Sequence, residues 1–237
     1  MWGLVGGFAL LLGAVIGLAV RASQRVIGIV MAFGSGALIS AVSFDLTEEA
    51  FRRAGLDAVA VGLAAGSIAF FAADWVVDRR GGKDRKRSGG QQEEGTALAI
   101  VIGSVMDGIP ESIAIGISLI EGGSVAVPIL IAVFLSNVPE SLSAATGLRK
   151  AGHSTRYVLS LWTGVMLVSA AAAAAGHALL GQAPADVVAS IQAFAAGAIL
   201  TMLADTMMPE AFHHGGSVVG LITVLGFAFA FFVSRLA

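Results

Sequence analysis

The stretch Met106-Asp107-Gly108-Ile109-Pro110-Glu111-Ser112 (MDGIPES) sits inside a long apolar segment, and a near copy, Leu135-Ser136-Asn137-Val138-Pro139-Glu140-Ser141 (LSNVPES), sits inside the next. A proline and a carboxylate placed twice in the middle of hydrophobic sequence decide how the chain is read. With 57% hydrophobic and 13% charged residues over 237 positions, and a mean hydropathy of +0.88, the chain is too apolar for a soluble domain. It reads as an integral membrane protein. Its 31 glycines, without the period-2 alternation of barrel strands, indicate helices packed through small residues. The expected fold class is therefore an all-α membrane protein. There is no cysteine, which removes disulfides, thiolate ligands and Cys nucleophiles and leaves oxygen, nitrogen or thioether atoms to hold any metal.

Crossing roughly 30 Å of hydrocarbon takes about 20 apolar residues. Eight transmembrane helices are expected, at residues 2–20, 26–51, 57–78, 96–119, 124–147, 156–180, 186–211 and 217–236. Eleven of the 14 Lys and Arg residues fall in the loops after spans 1, 3 and 5, and only Arg52, Arg53 and Arg235 fall on the other side. The positive-inside rule puts those three loops in the cytoplasm and both termini outside, in a multi-pass protein of the plasma or inner membrane. Residues 79–95 (RRGGKDRKRSGGQQEEG) contain nothing apolar and read as a flexible, solvated cytoplasmic loop within a single transmembrane domain, 1–237.

Internal similarity organises the spans. Ala32–Phe51 (AFGSGALISAVSFDLTEEAF) aligns without gaps to Ala193–Phe212 (AFAAGAILTMLADTMMPEAF). Spans 2 and 7 then run in opposite directions, so a 3+2+3 arrangement follows, with spans 1–3 and 6–8 as an inverted repeat around spans 4 and 5. Transporters commonly place their sites near the midplane of such a repeat interface.

The two motifs have a shared chemistry. Proline inside a helix frees the carbonyl four residues back, here those of Met106 and Leu135, and in lipid such an oxygen needs a partner. Asp107 and Glu111 are spaced i, i+4 and share a helix face. Asn137 and Glu140 follow on the next span, with Ser136 and Ser141 adding hydroxyls. Buried carboxylates facing one another require protonation, hydration or a positive ion. Spans 4 and 5 hold no basic residue before Arg149, so no protein counter-charge is expected at this depth and a metal cation or proton is the natural guest. Carboxylate and carbonyl oxygens suit Mg, Mn, Fe(II) or Zn.

On these residues the chain resembles the ZIP (Zrt/Irt-like) family of metal transporters, whose members have eight spans, outward termini, a variable cytoplasmic loop after span 3, and HNxPEG-type and HxxPE-type motifs on spans 4 and 5. The resemblance covers essentially the whole chain. It implies that the family's span 4 His, Asn and Glu ligands fall on Asp107, Gly108 and Glu111, and that its span 5 His, acidic or amide residue and Glu fall on Ser136, Asn137 and Glu140. Both motif histidines are replaced, and Gly108 brings no side-chain ligand. One good site is therefore expected where much of the family has two, with a bias toward harder ions than zinc, although zinc accepts oxygen ligands too.

Other polar residues complete the path. Asp205, read as the deepest carboxylate of span 7, is expected as an accessory or exit-side ligand, with Glu210 and Thr206 nearby and Pro209 freeing the Asp205 carbonyl. Asp45 is the entrance candidate on span 2. Glu48 and Glu49 are expected to pair with Arg52 and Arg53, and Asp74 and Asp78 to sit at the membrane interface beside Arg79 and Arg80. The expected function is inward transport of a divalent cation (Zn, Mn or Fe(II)) by alternating access, one repeat bundle moving against the other with Gly34, Gly36 and Gly197 at the sliding surface. The metal binders are Asp107, Glu111, Asn137, Glu140 and Asp205. The ion is the substrate and the bilayer the other partner, with a homodimer open as an assembly, no nucleic acid, no organic cofactor and no enzymatic activity. The alternative is a transport-inactive, metal-responsive membrane sensor or partner-binding protein. An intramembrane hydrolase would need a metal-and-base motif such as HExxH, which no span contains.

Overall fold

A computed structural model of the protein describes residues 2–20, 22–90, 97–122 and 127–236. Among these residues the structure is helical, with no strand: α1 (Trp2–Ala19), α2 (Gln24–Ala41), α3 (Glu48–Val77), α4 (Ala97–Gly122), α5 (Val127–Lys150), α6 (Thr155–Leu180), α7 (Ala185–Met202), α8 (Met208–Gly215) and α9 (Val219–Leu236). Six continuous helical stretches are long and apolar enough to cross a membrane, so the protein is a multi-pass membrane protein. The difference from eight separate spans lies in two of these stretches, Gln24–Gly82 with 59 residues and Ala185–Leu236 with 52. At the α-helical rise, 59 residues extend roughly 90 Å, far beyond one hydrocarbon thickness.

Both long stretches carry the same two irregularities at the same spacing. A π-helical turn occupies Val42–Thr47 in the first and Leu203–Met207 in the second. A positive-φ glycine then breaks the helical path, Gly55 at φ 77° and Gly216 at φ 68°. These positions superpose under the gapless alignment of Ala32–Phe51 on Ala193–Phe212, so the internal similarity extends beyond the residues that revealed it. The π turn inserts one residue and rotates everything after it around the helix axis.

Packing obeys the same relation. α2 packs on α9 as α7 packs on α3, α1 on α5 as α6 on α4, and α2 on α5 as α7 on α4. The contacts at the first pair are backbone on backbone. A Cβ on Gly36 would stand 2.8 Å from the Thr223 carbonyl carbon, and one on Gly197 would stand 2.9 Å from that of Leu63; reciprocally, Gly226 meets Phe33 and Gly66 meets Phe194, both at 2.8 Å. Glycine is required there because any side chain would hold the helices apart.

The two triplets are consequently interleaved, which corrects the expectation of one repeat bundle beside the other. Two layers result. α1, α4, α5 and α6 form one layer around Trp162, Leu148, Ile100 and Leu10. α2, α3, α7, α8 and α9 form the other, and the layers meet chiefly where α2 touches α5 and α7 touches α4. Both proline motifs lie in the first layer, at that boundary.

Residues 79–90 depart from the expected solvated loop. After a turn at Asp78–Gly82 the chain folds back into the bundle, where Arg85, Lys86 and Ser88 are buried. Residues 91–95 of the expected loop lie outside the described residues.

Candidate functional site

Asp107 and Glu111 on α4 and Ser136, Asn137 and Glu140 on α5 are all buried, at 0–4% exposure. α4 and α5 remain helical through Pro110 and Pro139. Two hydroxyls bond carbonyls beside the prolines: the Ser112 hydroxyl donates to Gly108 O at 2.6 Å and the Ser141 hydroxyl to Asn137 O at 2.8 Å. The freed Leu135 carbonyl is where Gly34 of α2 makes its close approach.

The expectation that no basic residue reaches this depth is wrong. Arg85 binds Asp107 through two parallel hydrogen bonds, Nε to Oδ2 at 2.8 Å and Nη2 to Oδ1 at 2.9 Å. Nη2 also donates to Asp74 at 2.5 Å, and Nη1 to Asp78 at 3.4 Å and to Gly82 O at 3.3 Å. Burial alone would lower the arginine pKa, but the Asp107 and Asp74 carboxylates raise it above the ordinary value, so the guanidinium is a fixed charge. Gly103 on α4 leaves the room it needs, since a Cβ there would stand 2.8 Å from Arg85 Nε. Asp74 and Asp78 are therefore partners of Arg85, and Arg79 instead lies over the Trp75 ring at 3.7 Å.

Lys86 goes further in. Its ammonium lies 3.3 Å from Asp107 Oδ2 and 3.2 Å from Glu140 Oε1, and donates to Thr206 Oγ1 at 3.2 Å. Glu111 is left with one hydrogen bond, from the Ser136 hydroxyl at 3.4 Å, and forms no ion pair among the described residues, the Lys86 ammonium acting on it only from beyond contact distance. The Asn137 amide donates to Gly6 O of α1 at 3.3 Å, tying α1 to α5. Among the described residues no three acidic or histidine side chains are grouped as a ready metal cage. The ammonium of Lys86 stands among the carboxylates instead.

Span 7 also departs from expectation. Asp205 is exposed and Glu210 is fully buried, the reverse of the expected depths. The π turn that contains Asp205 supplies the reason, because the inserted residue carries Asp205 off the inward face while Glu210, beyond the turn, rotates onto it. Glu210 Oε1 accepts the Ser88 N–H and hydroxyl, each at 2.9 Å, and Oε2 accepts Arg87 Nη1 at 2.9 Å. His214 Nε2 lies 3.1 Å from Glu210 Oε1. Asp205 lines a charged cleft of about 80 Å³ together with Asp74, Asp78, Lys86 and Thr206, so it adjoins the site from outside.

Within the π turn Val42–Thr47, Asp45 Oδ1 accepts the Ser234 hydroxyl at 2.7 Å, and the Asp45 backbone carbonyl accepts from Gln192 Nε2 at 3.1 Å. Glu49 pairs with both Arg52 and Arg53, as its spacing predicts. The residues that sequence reasoning missed are Arg85, Lys86, Ser88 and Asp74; the available signal was complementarity between a run of basic residues and buried carboxylates lacking counter-charge.

Residues 76–235 match the model of a family described as ZIP zinc transporter. No curated protein matches the chain.

Proposed function

The chain belongs to the ZIP zinc transporter family, and from that membership we propose that it carries a divalent cation, zinc or a harder ion such as Mn or Fe(II), inward across a cell membrane by alternating access. Asp107, Glu111 and Glu140 bind the ion, with Ser136 and Asn137 adding oxygen atoms. Asp45 lies on the outer approach, and Asp205 and Glu210 flank the way out. The two long stretches cross the bilayer twice each, turning at Gly55 and Gly216, which makes eight spans with both termini outside. The first and last three spans are the inverted halves around α4 and α5.

The observation that carries the proposal is the charge at Glu111. It is 2% exposed and forms no ion pair among the described residues, while the neighbouring Glu140 shares the Lys86 ammonium with Asp107, which Arg85 also binds. A carboxylate at that depth without compensation is costly, and a 2+ ion accepting oxygens from α4 and α5 removes the cost. The two layers meet chiefly through α2 on α5 and α7 on α4, and motion of α1, α4, α5 and α6 against the rest would carry the ion from one side to the other.

Uptake of Zn²⁺ and Mn²⁺ into proteoliposomes tests this. Glu111→Ala and Glu140→Ala are each expected to abolish uptake while the purified proteins keep a monodisperse elution profile. Wild-type uptake rates in both variants would reject the assignment.

A further inference from the structure

We propose that Arg85–Ser88 is a detachable plug whose Lys86 ammonium is a tethered competitor for the cargo cation, so that metal binding and docking of the segment exclude one another. The proposal rests on the reading that Asp107, Glu111 and Glu140 receive the cargo.

The coordination of Lys86 is its first support. An ammonium has three N–H donors, and here three acceptors surround it: Asp107 of α4, Glu140 of α5 and Thr206 of the π turn. Two of these are the carboxylates that would hold the metal. A dication and the ammonium cannot share them without strong repulsion in a poorly screened interior.

The segment is held as a unit. Arg85 is clamped by Asp107 and Asp74, and Arg87 and Ser88 by Glu210. Its backbone is held too: the Ser143 hydroxyl donates to Lys86 O at 2.7 Å, and Lys150 Nζ donates to Ser88 O at 2.8 Å. These contacts close the site from the side on which Asp78 and Lys150 lie.

Withdrawal is nevertheless inexpensive in hydrophobic terms, because residues 79–95 contain no apolar side chain to expose. Glycines with positive φ, Gly81 at 93° and Gly90 at 95°, stand on either side of the segment as turning points. Every bond that holds it is polar, and each can be exchanged for water or for an arriving cation.

Competition lowers apparent affinity by the fraction of molecules that are open. A plug docked in roughly nine molecules of ten raises the apparent Kd about tenfold. Two measurements on the full chain in detergent test this. Equilibrium dialysis with Zn²⁺ and Mn²⁺ is expected to give Lys86→Met a Kd about tenfold lower than wild type. Because the chain has no cysteine, Ser88→Cys in the otherwise natural sequence reports docking directly: this fully buried position is expected to react slowly with a maleimide, and several-fold faster with saturating Zn²⁺. The labelling arm stands alone should Lys86→Met fail to fold. Metal binding that depends on Glu111, combined with an unchanged Kd in Lys86→Met and labelling indifferent to metal, overturns the plug and leaves the carrier reading intact. Absence of binding by either ion overturns both.

Discussion

The backbone contacts between α2 and α9 and between α3 and α7 give a prediction whose size follows from geometry. In Gly36→Ala the new Cβ would stand 2.8 Å from the Thr223 carbonyl carbon and 2.9 Å from Phe227 N; in Gly197→Ala it would stand 2.9 Å from both the Leu63 carbonyl carbon and Cα. Ordinary contact begins about half an ångström farther out, and the struck atoms are backbone, so each helix pair must separate along its length. Overpacking of this kind costs about 1–3 kcal/mol. Alanine recovers about 1 kcal/mol of helix propensity over glycine. The net loss is about 0–2 kcal/mol, at about 2–4 °C of melting temperature per kcal/mol in a chain of this size. Gly164→Ala and Gly220→Ala provide the control, since nothing lies within 4 Å of a Cβ at either position; they gain the propensity alone and should melt slightly above wild type. Thermal unfolding followed by circular dichroism in one detergent reads all four. The two repeat-related variants should lose similar amounts. Melting of Gly36→Ala or Gly197→Ala at or above Gly164→Ala would refute backbone contact as the thing that joins these helices.

Arg85→Met strips the guanidinium from two buried carboxylates, and breaking such a group on one side costs about 3–5 kcal/mol; denaturant titration should show that loss, with part of it recovered in Arg85→Met/Asp74→Asn. Glu111→Gln replaces a buried carboxyl that forms no ion pair among the described residues, so thermal stability should hold or rise while Zn²⁺ binding, read by dialysis, falls at least tenfold. A drop in stability would mean that Glu111 is already compensated in the resting protein. Gly55→Ala places a Cβ at φ 77° and ψ −176°, a region almost confined to glycine where an L residue costs about 1–3 kcal/mol, and lowered stability despite open space around the site is the expected result.

The sequence made much of this architecture readable because hydropathy and helix-breaking residues act locally. The apolar runs marked the membrane helices, and Pro110-Glu111 and Pro139-Glu140 marked the two that carry the site. The repeat was visible at Ala32–Phe51 and Ala193–Phe212, and the identical glycines Gly55 and Gly216 could have lengthened it. What escaped was long-range or depended on a small backbone irregularity. The run 79–95 has the composition of a solvated loop, and composition does not say that Arg85 and Lys86 answer carboxylates on other helices. The opposite burial of Asp205 and Glu210 comes from a single inserted residue in a π turn, which a regular helical wheel cannot register.

The anchors of Arg85–Ser88 fall on both layers of the bundle. Asp107, Glu140 and Ser143 belong to the layer of α1, α4, α5 and α6, and Asp74, Thr206 and Glu210 belong to the other. Four consecutive residues therefore rivet together the two bodies whose relative travel is proposed to move the ion, and on the plug proposal they would act as a brake as well as a stopper. Under that proposal a molecule held this way would idle without leaking, and an arriving cation that unseats Lys86 would free the machinery in the same act that loads it.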